Sequence, residues 1–304
     1  MPYSILEYSW NGAFRRSIKL PVNTHKQSPD GVFFVRDSLF IGHNSNYSGK
    51  EDYHFFLFDT SGNIVKTFDN HVKIARSQMS WNGNERSMKP IRASDGIYVK
   101  EIPNDTLFCL NEQDELIPKY VFNLGKYAYS KRKRANSNII EGMKDVIFIP
   151  HFVSPLVVTP NFIFFNPNSA NANIPSPKGR QSAIALPPGA VRLGYCDPAN
   201  PRASILGIYD ITKKTTRLLD TDPFLRTIGI INNLDGGMPF WPFYCNSNNE
   251  LIDMYEAGKM KEYLTEEYFA AHEIKNLQAH QKLRELLKTL KEDDNPVIVV
   301  AKMK

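Results

Sequence analysis

The sequence has no long apolar run and little cysteine. Its longest apolar run, residues 297–301, has five residues, whereas a helix that crosses a membrane needs about 20. We therefore predict no membrane span. Three cysteines, Cys109, Cys196 and Cys245, are too few and too scattered for a disulfide scaffold or a zinc site. Cys109 is expected to be a small buried hydrophobe, and a pairing of Cys196 with Cys245 is left open.

A strong charge imbalance and a leader sequence are also missing. The net charge is +5, and its one concentrated contribution is the basic segment 126–134, which includes Tyr127 and Tyr129. One short run makes no extended basic face, so we predict a solvated loop and no nucleic-acid partner. Residues 1–7 lack the basic and apolar stretches of a signal peptide. Either the protein is cytoplasmic or these residues lie inside a longer precursor.

Motifs for catalysis and for cofactors are absent as well. Residues 42–51 have two glycines and a lysine like a phosphate loop, but the glycine spacing is too long and Glu51 replaces the magnesium ligand, so we predict a hairpin loop. His272 and His280 are eight residues apart, which places them off a common helical face. No serine or cysteine stands in a nucleophile elbow. We predict no catalytic residue, no metal and no cofactor.

An internal repeat is the strongest positive signal. Residues 5–18 align with residues 55–68 at a constant offset of 50, so that Tyr8 matches Phe58 and Gly12 matches Gly62. Each copy is an alternating strand, a tight turn with a glycine that accepts positive φ, and a second alternating strand. The pattern predicts a β-hairpin. Further copies begin near residues 107 and 207, with Leu110 and Tyr209 in the place of Phe58.

Other strand candidates precede these hairpins, at residues 31–41, 91–100, 146–165 and 240–255. Four short strands per unit, at a period of roughly 40 to 50 residues, are typical of propeller blades. We predict an all-β protein, a β-propeller of four-stranded antiparallel blades in one domain. The units run approximately over residues 1–20 (partial), 21–70, 71–125, 140–222 and 238–304.

Two segments depart from this repeat. Residues 166–202 are rich in proline, asparagine and glycine, which indicates a functional rim loop or a disordered loop. Residues 257–292 are predicted to be helical, and residues 293–296 end the last helix at a proline. A leucine stripe should pack on the β body, and the strand that starts at Val297 should be buried. The stripe consists of Leu277, Leu283, Leu286, Leu287 and Leu290.

Four sequence segments resemble those of the Bacteroides-type six-bladed β-propeller family, which is related in shape to TolB-like and NHL-like propellers. These segments are residues 5–12, 98–108, 233–242 and 294–297. The resemblance runs across nearly the whole chain. It implies about four and a half blades here, with further N-terminal blades and a secretory leader, often of lipoprotein type, in a longer precursor. It also implies a place in the periplasm or on the cell surface of a Gram-negative bacterium, and it implies no particular reaction.

The most suggestive polar and aromatic group lies in residues 232–244. Its side-chain oxygens, glycine pair and aromatics could form a sugar or peptide platform or a loose calcium loop; alternatively, this is a turn whose aromatics pack between blades. His151, among apolar neighbours, could line a central channel or be a core histidine. The candidate ligand-binding residues are Asn233, Asp235, Phe240, Trp241, Tyr244 and His151.

Three functions remain open at this point. The first is a non-enzymatic envelope protein that binds an unknown protein or glycan with a propeller face. The second is a propeller enzyme, a hydrolase, lactonase or lyase, with a polar site at the central channel. Acidic, amide and imidazole side chains that converge at hydrogen-bond distance would favour the enzyme. The third is a cytoplasmic interaction scaffold.

Overall fold

The computed structural model describes residues 4–22, 29–44, 51–71, 73, 90–101, 104–123, 153–167, 206–219 and 229–303. The chain divides into two compact units, Met1–Ser154 and Pro155–Lys304, each of which is treated by itself. Within the described ranges the chain is mostly β, with several four-stranded antiparallel sheets and short helices in the second unit. His151, Cys196, the basic segment 126–134 and most of residues 166–202 lie outside these ranges.

The described residues of the first unit form three antiparallel sheets, each built from strands that follow one another in the chain. Sheet 1 is a two-stranded hairpin, and sheets 2 and 3 are four-stranded meanders. This confirms the predicted order of strands and turns up to residue 121. Sheet 1 contains β1 (Ser4–Tyr8) and β2 (Phe14–Lys19); sheet 2 contains β3 (Gly31–Arg36), β4 (Leu39–His43), β5 (Tyr53–Asp59) and β6 (Ile64–Asp69); sheet 3 contains β7 (Ile91–Ala93), β8 (Gly96–Val99), β9 (Thr106–Leu110) and β10 (Leu116–Val121).

The repeated hairpins share one turn geometry because they share local turn chemistry. Tyr8 pairs with Phe14, Phe58 with Ile64 and Leu110 with Leu116, so the loop has the same length in all three. The left-handed position is filled by Gly12 and Gly62, both at φ +83°, and by Asp114 at φ +59°. Side chains stabilise the turn as well: the carboxylate of Asp59 and the amide oxygen of Asn111 each accept hydrogen bonds from backbone N–H groups two and four residues later.

Sheet 2 is covered on both faces, which explains why β5 is apolar at almost every position. Phe56 and Phe58 point to the side where Ile18 of sheet 1 lies, and Phe58 stacks on Phe40 at 5.2 Å. Phe55 and Leu57 point to the other side and share a core with residues of sheet 3, among them Ile97, Val99, Phe108 and Leu110. Burial of each such side chain contributes about 1.5–3 kcal/mol. The three sheets of this unit therefore pack face to face.

Arginines join sheets 2 and 3 at the end that carries the tight turns, here named the turn end. Arg36 forms an ion pair with Asp114, in which one guanidinium nitrogen, Nη2, donates to both carboxylate oxygens at 2.7 Å. Arg92 donates to the carbonyl oxygens of Phe34 and Val35, the latter at 2.9 Å. The opposite end, which carries the connections from β4 to β5 and from β8 to β9, is named the loop end.

The second unit contains sheet 4, another four-stranded meander, and the three-stranded sheet 5. In the fourth predicted hairpin Tyr209 pairs with Thr216, and the left-handed residue is Lys214 at φ +53°. The loop is one residue longer than in the first three hairpins, so the predicted equivalence of four hairpins holds in register for three of them. Sheet 4 contains β11 (Val153–Val158), β12 (Phe162–Pro167), β13 (Gly207–Asp210) and β14 (Thr215–Leu218); sheet 5 contains β15 (Tyr244–Cys245), β16 (Glu250–Tyr255) and β17 (Val297–Lys302).

Three helices lie between β16 and β17, namely α1 (Ala257–Tyr263), α2 (Glu266–Ala271) and α3 (Leu277–Thr289). The side chain of Asn276 caps α3 by accepting from the Ala279 N–H at 3.0 Å. Leu283, Leu287 and Leu290 join a core made mainly by α1 and α2, and the predicted packing on the β body is limited to the part of this core that Tyr255 and Val297 of sheet 5 supply. The outer part of the stripe does not pack, since Leu277 is 75% exposed.

The prediction that the last strand is buried was wrong. β17 is the end strand of sheet 5, and Ile298 and Val300 are 55% and 52% exposed. Val299 and Ala301, on the opposite face, pack against the core that sheets 4 and 5 share. Alternation in a strand with one covered face produces this result. None of the helices in the described ranges is long and apolar enough to cross a membrane.

Candidate functional site: a buried histidine–glutamate cluster

The polar candidates in residues 232–244 hold a turn against the helices. Asp235 accepts from the Gly237 N–H with a carboxylate oxygen at 2.8 Å, and its carbonyl oxygen lies 2.7 Å from His280 Nδ1. The carbonyl oxygen of Asn233 accepts from the Lys275 N–H at 2.9 Å. These contacts fasten the turn to the start of α3, which supports the structural alternative for Asn233 and Asp235.

The aromatic candidates separate into packed and exposed residues. Phe240 is buried in the core between sheets 4 and 5. Trp241 packs edge-on against Phe164 at 5.7 Å, and its backbone N–H donates to Asp253 at 2.8 Å. Tyr244 is 48% exposed and remains available to a ligand. The structure thus brings Asn233, Asp235 and Trp241 into one packed segment and leaves Tyr244 apart from their polar groups.

A different group of residues has unsatisfied polar atoms. Among the described residues, five buried side-chain atoms have no hydrogen-bond partner, and four of them belong to His43, His54 and Glu101. The fifth is the indole nitrogen of Trp241. Buried polar groups in native proteins nearly always have partners, so a concentration of unpaired atoms at one place marks a candidate functional site. None of these three residues is among the site residues predicted from the sequence.

Topology explains why these residues meet although they are far apart in sequence. His43 ends β4, His54 lies at the start of β5, and Glu101 follows β8 by two residues. In an antiparallel meander, all these positions fall at the loop end. His71, just after β6, and Asn104, just before β9, lie at the same end. Because sheets 2 and 3 pack face to face, two histidines from sheet 2 approach one carboxylate from sheet 3.

Glu101 is the centre of the cluster. Its Oε1 lies 3.0 Å from His54 Nδ1 and 3.9 Å from His71 Nδ1, and its Oε2 accepts from Asn104 Nδ2 at 3.3 Å. The side chains of Glu101 and His54 are 1% and 2% exposed, whereas that of His71 is 44% exposed. The short contact between His54 and Glu101 lacks the alignment of a hydrogen bond, so its attraction is mainly electrostatic. The ring of His71 stacks on Phe108 at 4.8 Å.

The pKa values in the cluster depart from their ordinary values in different directions. Burial tends to raise the pKa of Glu101, but His54, His71 and Asn104 together outweigh it and lower that pKa to about 2. The contact with Glu101 raises the pKa of His71. Burial lowers the pKa of His43 to about 4. Burial also lowers the pKa of Lys100 to about 8, against the opposing charges of Asp105 and Glu101.

The arrangement can hold a negative charge at Glu101 and exchange protons with solvent through His71. The unpaired nitrogens of His43 and His54 are buried, and Nδ1 of His54 faces Glu101 Oε1, so the cluster meets solvent at His71. No group of three or more metal-binding side chains with suitable geometry occurs among the described residues. A sequence signal for the site exists in hindsight: His54 stands within an apolar strand, and the pair Lys100–Glu101 directly follows another. Charged residues next to buried strands deserve inspection for that reason.

The chain is thus all-β and built from repeated antiparallel sheets, and a buried cluster of ionisable side chains lies where sheets 2 and 3 meet. The chain belongs to the family described as "Domain of unknown function (DUF4934)", whose sequence profile matches residues 1–302. A crystal structure of a "Putative exported protein" from Bacteroides fragilis is similar in fold, with a TM-score of 0.57 and 13% sequence identity. The similarity covers 99% of this chain and 72% of that one. None of the curated proteins matches the chain.

Proposed function

We propose that the chain forms most of a β-propeller of the six-bladed, Bacteroides type and acts as a ligand-binding module of the cell envelope. Consecutive four-stranded meanders that pack face to face within the first unit support the propeller. The similarity in fold to a Bacteroides protein named as exported supports a place in the periplasm or on the cell surface. Protease accessibility of the tagged protein on intact and lysed Bacteroides cells tests the location.

The observation that carries the binding function is the cluster of unpaired polar atoms at the loop end. Binding residues concentrate on loops that a rigid scaffold positions, and the connections of sheets 2 and 3 meet there. The unpaired atoms of His43, His54 and Glu101 are buried, so a ligand would meet this cluster at the half-exposed imidazole of His71, which can exchange hydrogen bonds with hydroxyl groups. A glycan is therefore the first ligand to test, and a protein is the alternative.

Thermal shift and calorimetry with maltotriose, chitotriose and 3′-sialyllactose test this proposal. His71→Gln removes the accessible member of the cluster, and Glu112→Gln is the control, because Glu112 is exposed at the turn end of sheet 3, at the end opposite to the cluster. Saturable binding that is retained by the control and lost in His71→Gln supports the proposal. Binding that survives His71→Gln, or no binding of any of the three glycans, contradicts it.

A second function is favoured by one specific observation. A carboxylate lies 3.0 Å from one imidazole and 3.9 Å from another, accessible one, and such a pair can transfer protons as a general acid or base. The enzyme would be a hydrolase, lactonase or lyase. Dihydrocoumarin and p-nitrophenyl acetate are suitable test substrates. Turnover that falls at least about 100-fold in Glu101→Gln supports an enzyme; turnover equal in both proteins refutes this role for the cluster.

The propeller proposal includes further blades upstream of the present chain. Sheet 1 has two described strands and sheet 5 has three, whereas sheets 2, 3 and 4 have four each. A propeller avoids exposed sheet edges by closing its ring. A version extended at the N-terminus should therefore melt at a higher temperature and associate less than the 304-residue chain. Equal melting temperatures and equal monomer content would contradict the missing blades.

A further inference from the structure

The cluster at the loop end links two sheets through one carboxylate. His54 and His71 belong to sheet 2 and its C-terminal extension, and Glu101 belongs to sheet 3. The two imidazole nitrogens approach the same atom, Glu101 Oε1, at 3.0 Å and 3.9 Å. His54 is 2% exposed and His71 is 44% exposed, so the chain of groups runs from solvent into the protein. A proton from solvent can therefore reach the buried pair by way of His71.

Several other charged and titratable groups face these residues and set the electrostatic background. Asp69, at the end of β6, acts on His71, and His43 acts on His54. Asp30 acts on His43, while Lys100 interacts with Glu101 and Asp105. Asp69, His43 and Lys100 thus act on members of the cluster directly, whereas Asp30 and Asp105 act on His43 and Lys100. The carboxylate of Asp69 therefore favours an added proton on His71, whereas the ammonium group of Lys100 favours the ionised form of Glu101.

We propose that Glu101, His54 and His71 form one proton-binding unit, which a proton enters at His71 and which ties sheet 2 to sheet 3 more firmly when it is protonated. Protonated His71 forms an ion pair with Glu101, whereas neutral His71 offers only a weaker polar contact at 3.9 Å. The ligand-binding role of the loop end rests on the proposed function; the proton link itself does not.

The direction of the pH effect follows from the pKa shifts of His71 and His43. Because the contact with Glu101 raises the pKa of His71, the link is fully present below the ordinary value of 6.5 and is lost as pH rises through the raised value. His43 acts in the opposite direction, since it stays neutral in the fold down to a pKa of about 4. The link is therefore expected to weaken on going from mildly acidic to mildly alkaline conditions, a range in which His43 of the folded protein stays neutral.

NMR pH titration of the histidine Cε1–H signals in the full chain tests the proton-binding unit. In the wild type and in Glu112→Gln, the midpoint pH of the His71 titration should be higher than that of an unperturbed histidine. In Glu101→Gln, its midpoint should fall toward that of a solvent-exposed histidine. A midpoint that is the same in Glu101→Gln and the wild type overturns the proposal.

A second variant covers the case in which Glu101→Gln does not fold. His71→Gln changes a half-exposed residue and should leave the fold intact. The difference in melting temperature between the wild type and His71→Gln should be largest at pH 5.5–6.5 and should shrink toward pH 8.5, as expected from the direction of the shift. A difference that is constant across this range overturns the link. Neither measurement needs a ligand. The proton link can therefore be confirmed when no glycan binds, and glycan binding can be confirmed when the proton link is refuted.

Discussion

Replacement of His43 by glutamine should make the protein less sensitive to acid. The side chain of His43 is 7% exposed, and its Nδ1 has no hydrogen-bond partner. Burial lowers its pKa from 6.5 to about 4, because the imidazolium would lose its hydration there; Asp30 opposes this effect without cancelling it. A close backbone approach fixes the ring, since a Cβ on Gly31 would lie 2.3 Å from His43 Nε2.

The size of the effect follows from the difference between the two pKa values. Below pH 6.5 the unfolded chain binds a proton at His43 that the folded chain does not bind, so folding stability falls as pH drops. The loss is complete near pH 4. The fall of the His43 pKa from 6.5 to about 4 corresponds to about 3 kcal/mol of folding free energy. This is a large part of the 5–15 kcal/mol that is typical of a folded domain.

Urea unfolding of the full chain, followed by circular dichroism at several pH values from 4 to 8, measures this effect. The wild type should lose about 3 kcal/mol more stability than His43→Gln between pH 7 and pH 4. His71→Gln is a control of opposite sign, because the pKa of His71 is raised and its contribution is lost at high pH. Parallel stability curves for the wild type and His43→Gln would refute the assignment of His43 as a buried neutral histidine.

Three further predictions concern the fold. Phe58→Ala should lower the free energy of unfolding, measured in urea, by about 3–5 kcal/mol, because Phe58 is fully buried. Phe34→Ala is the control and should lower it clearly less, because Phe34 is 49% exposed. Equal losses in the two variants would contradict the face-to-face packing of sheets 1 and 2. Leu287→Ala should cost about 2 kcal/mol, the lower end of the range for leucine, because Leu287 is only partly buried; a change within error would mean that α3 does not dock through it. Val300→Lys should leave the melting temperature unchanged and reduce self-association in light scattering, because Val300 is 52% exposed on an end strand; a large loss of stability would contradict its position.

The repeat and the hairpins could be predicted from sequence because their causes are local. In the first and second copies a glycine, and in the third an aspartate, takes the left-handed position of the turn. The apolar positions alternate with a period of two on both sides. Such signals lie within about ten residues of one another, so they are readable without knowledge of the rest of the chain. The strands that precede the hairpins and the cap of α3 at Asn276 are local in the same sense.

The role of the candidate ligand-binding residues in the segment 232–244 could not be decided from neighbouring sequence alone. Polar side chains, glycines and aromatics are common to binding loops and to packed turns, and the sequence does not distinguish the two. Contacts decide between them here: the His280 ring and the Lys275 N–H bind the backbone of this turn, and both come from the segment that begins α3, some 40 residues later. Tyr244 alone among the described candidates keeps an accessible ring.

The sequence by itself determined an all-β chain of repeated hairpins with a late helical segment, because turn chemistry and apolar alternation act between near neighbours. Tertiary structure alone decided which strand face is covered, so that Ile298 and Val300 are exposed although their strand reads as continuously apolar. It also decided the candidate site. His54 and Glu101 are 47 positions apart in the chain, and their 3.0 Å contact exists because sheets 2 and 3 pack face to face with their loop ends aligned.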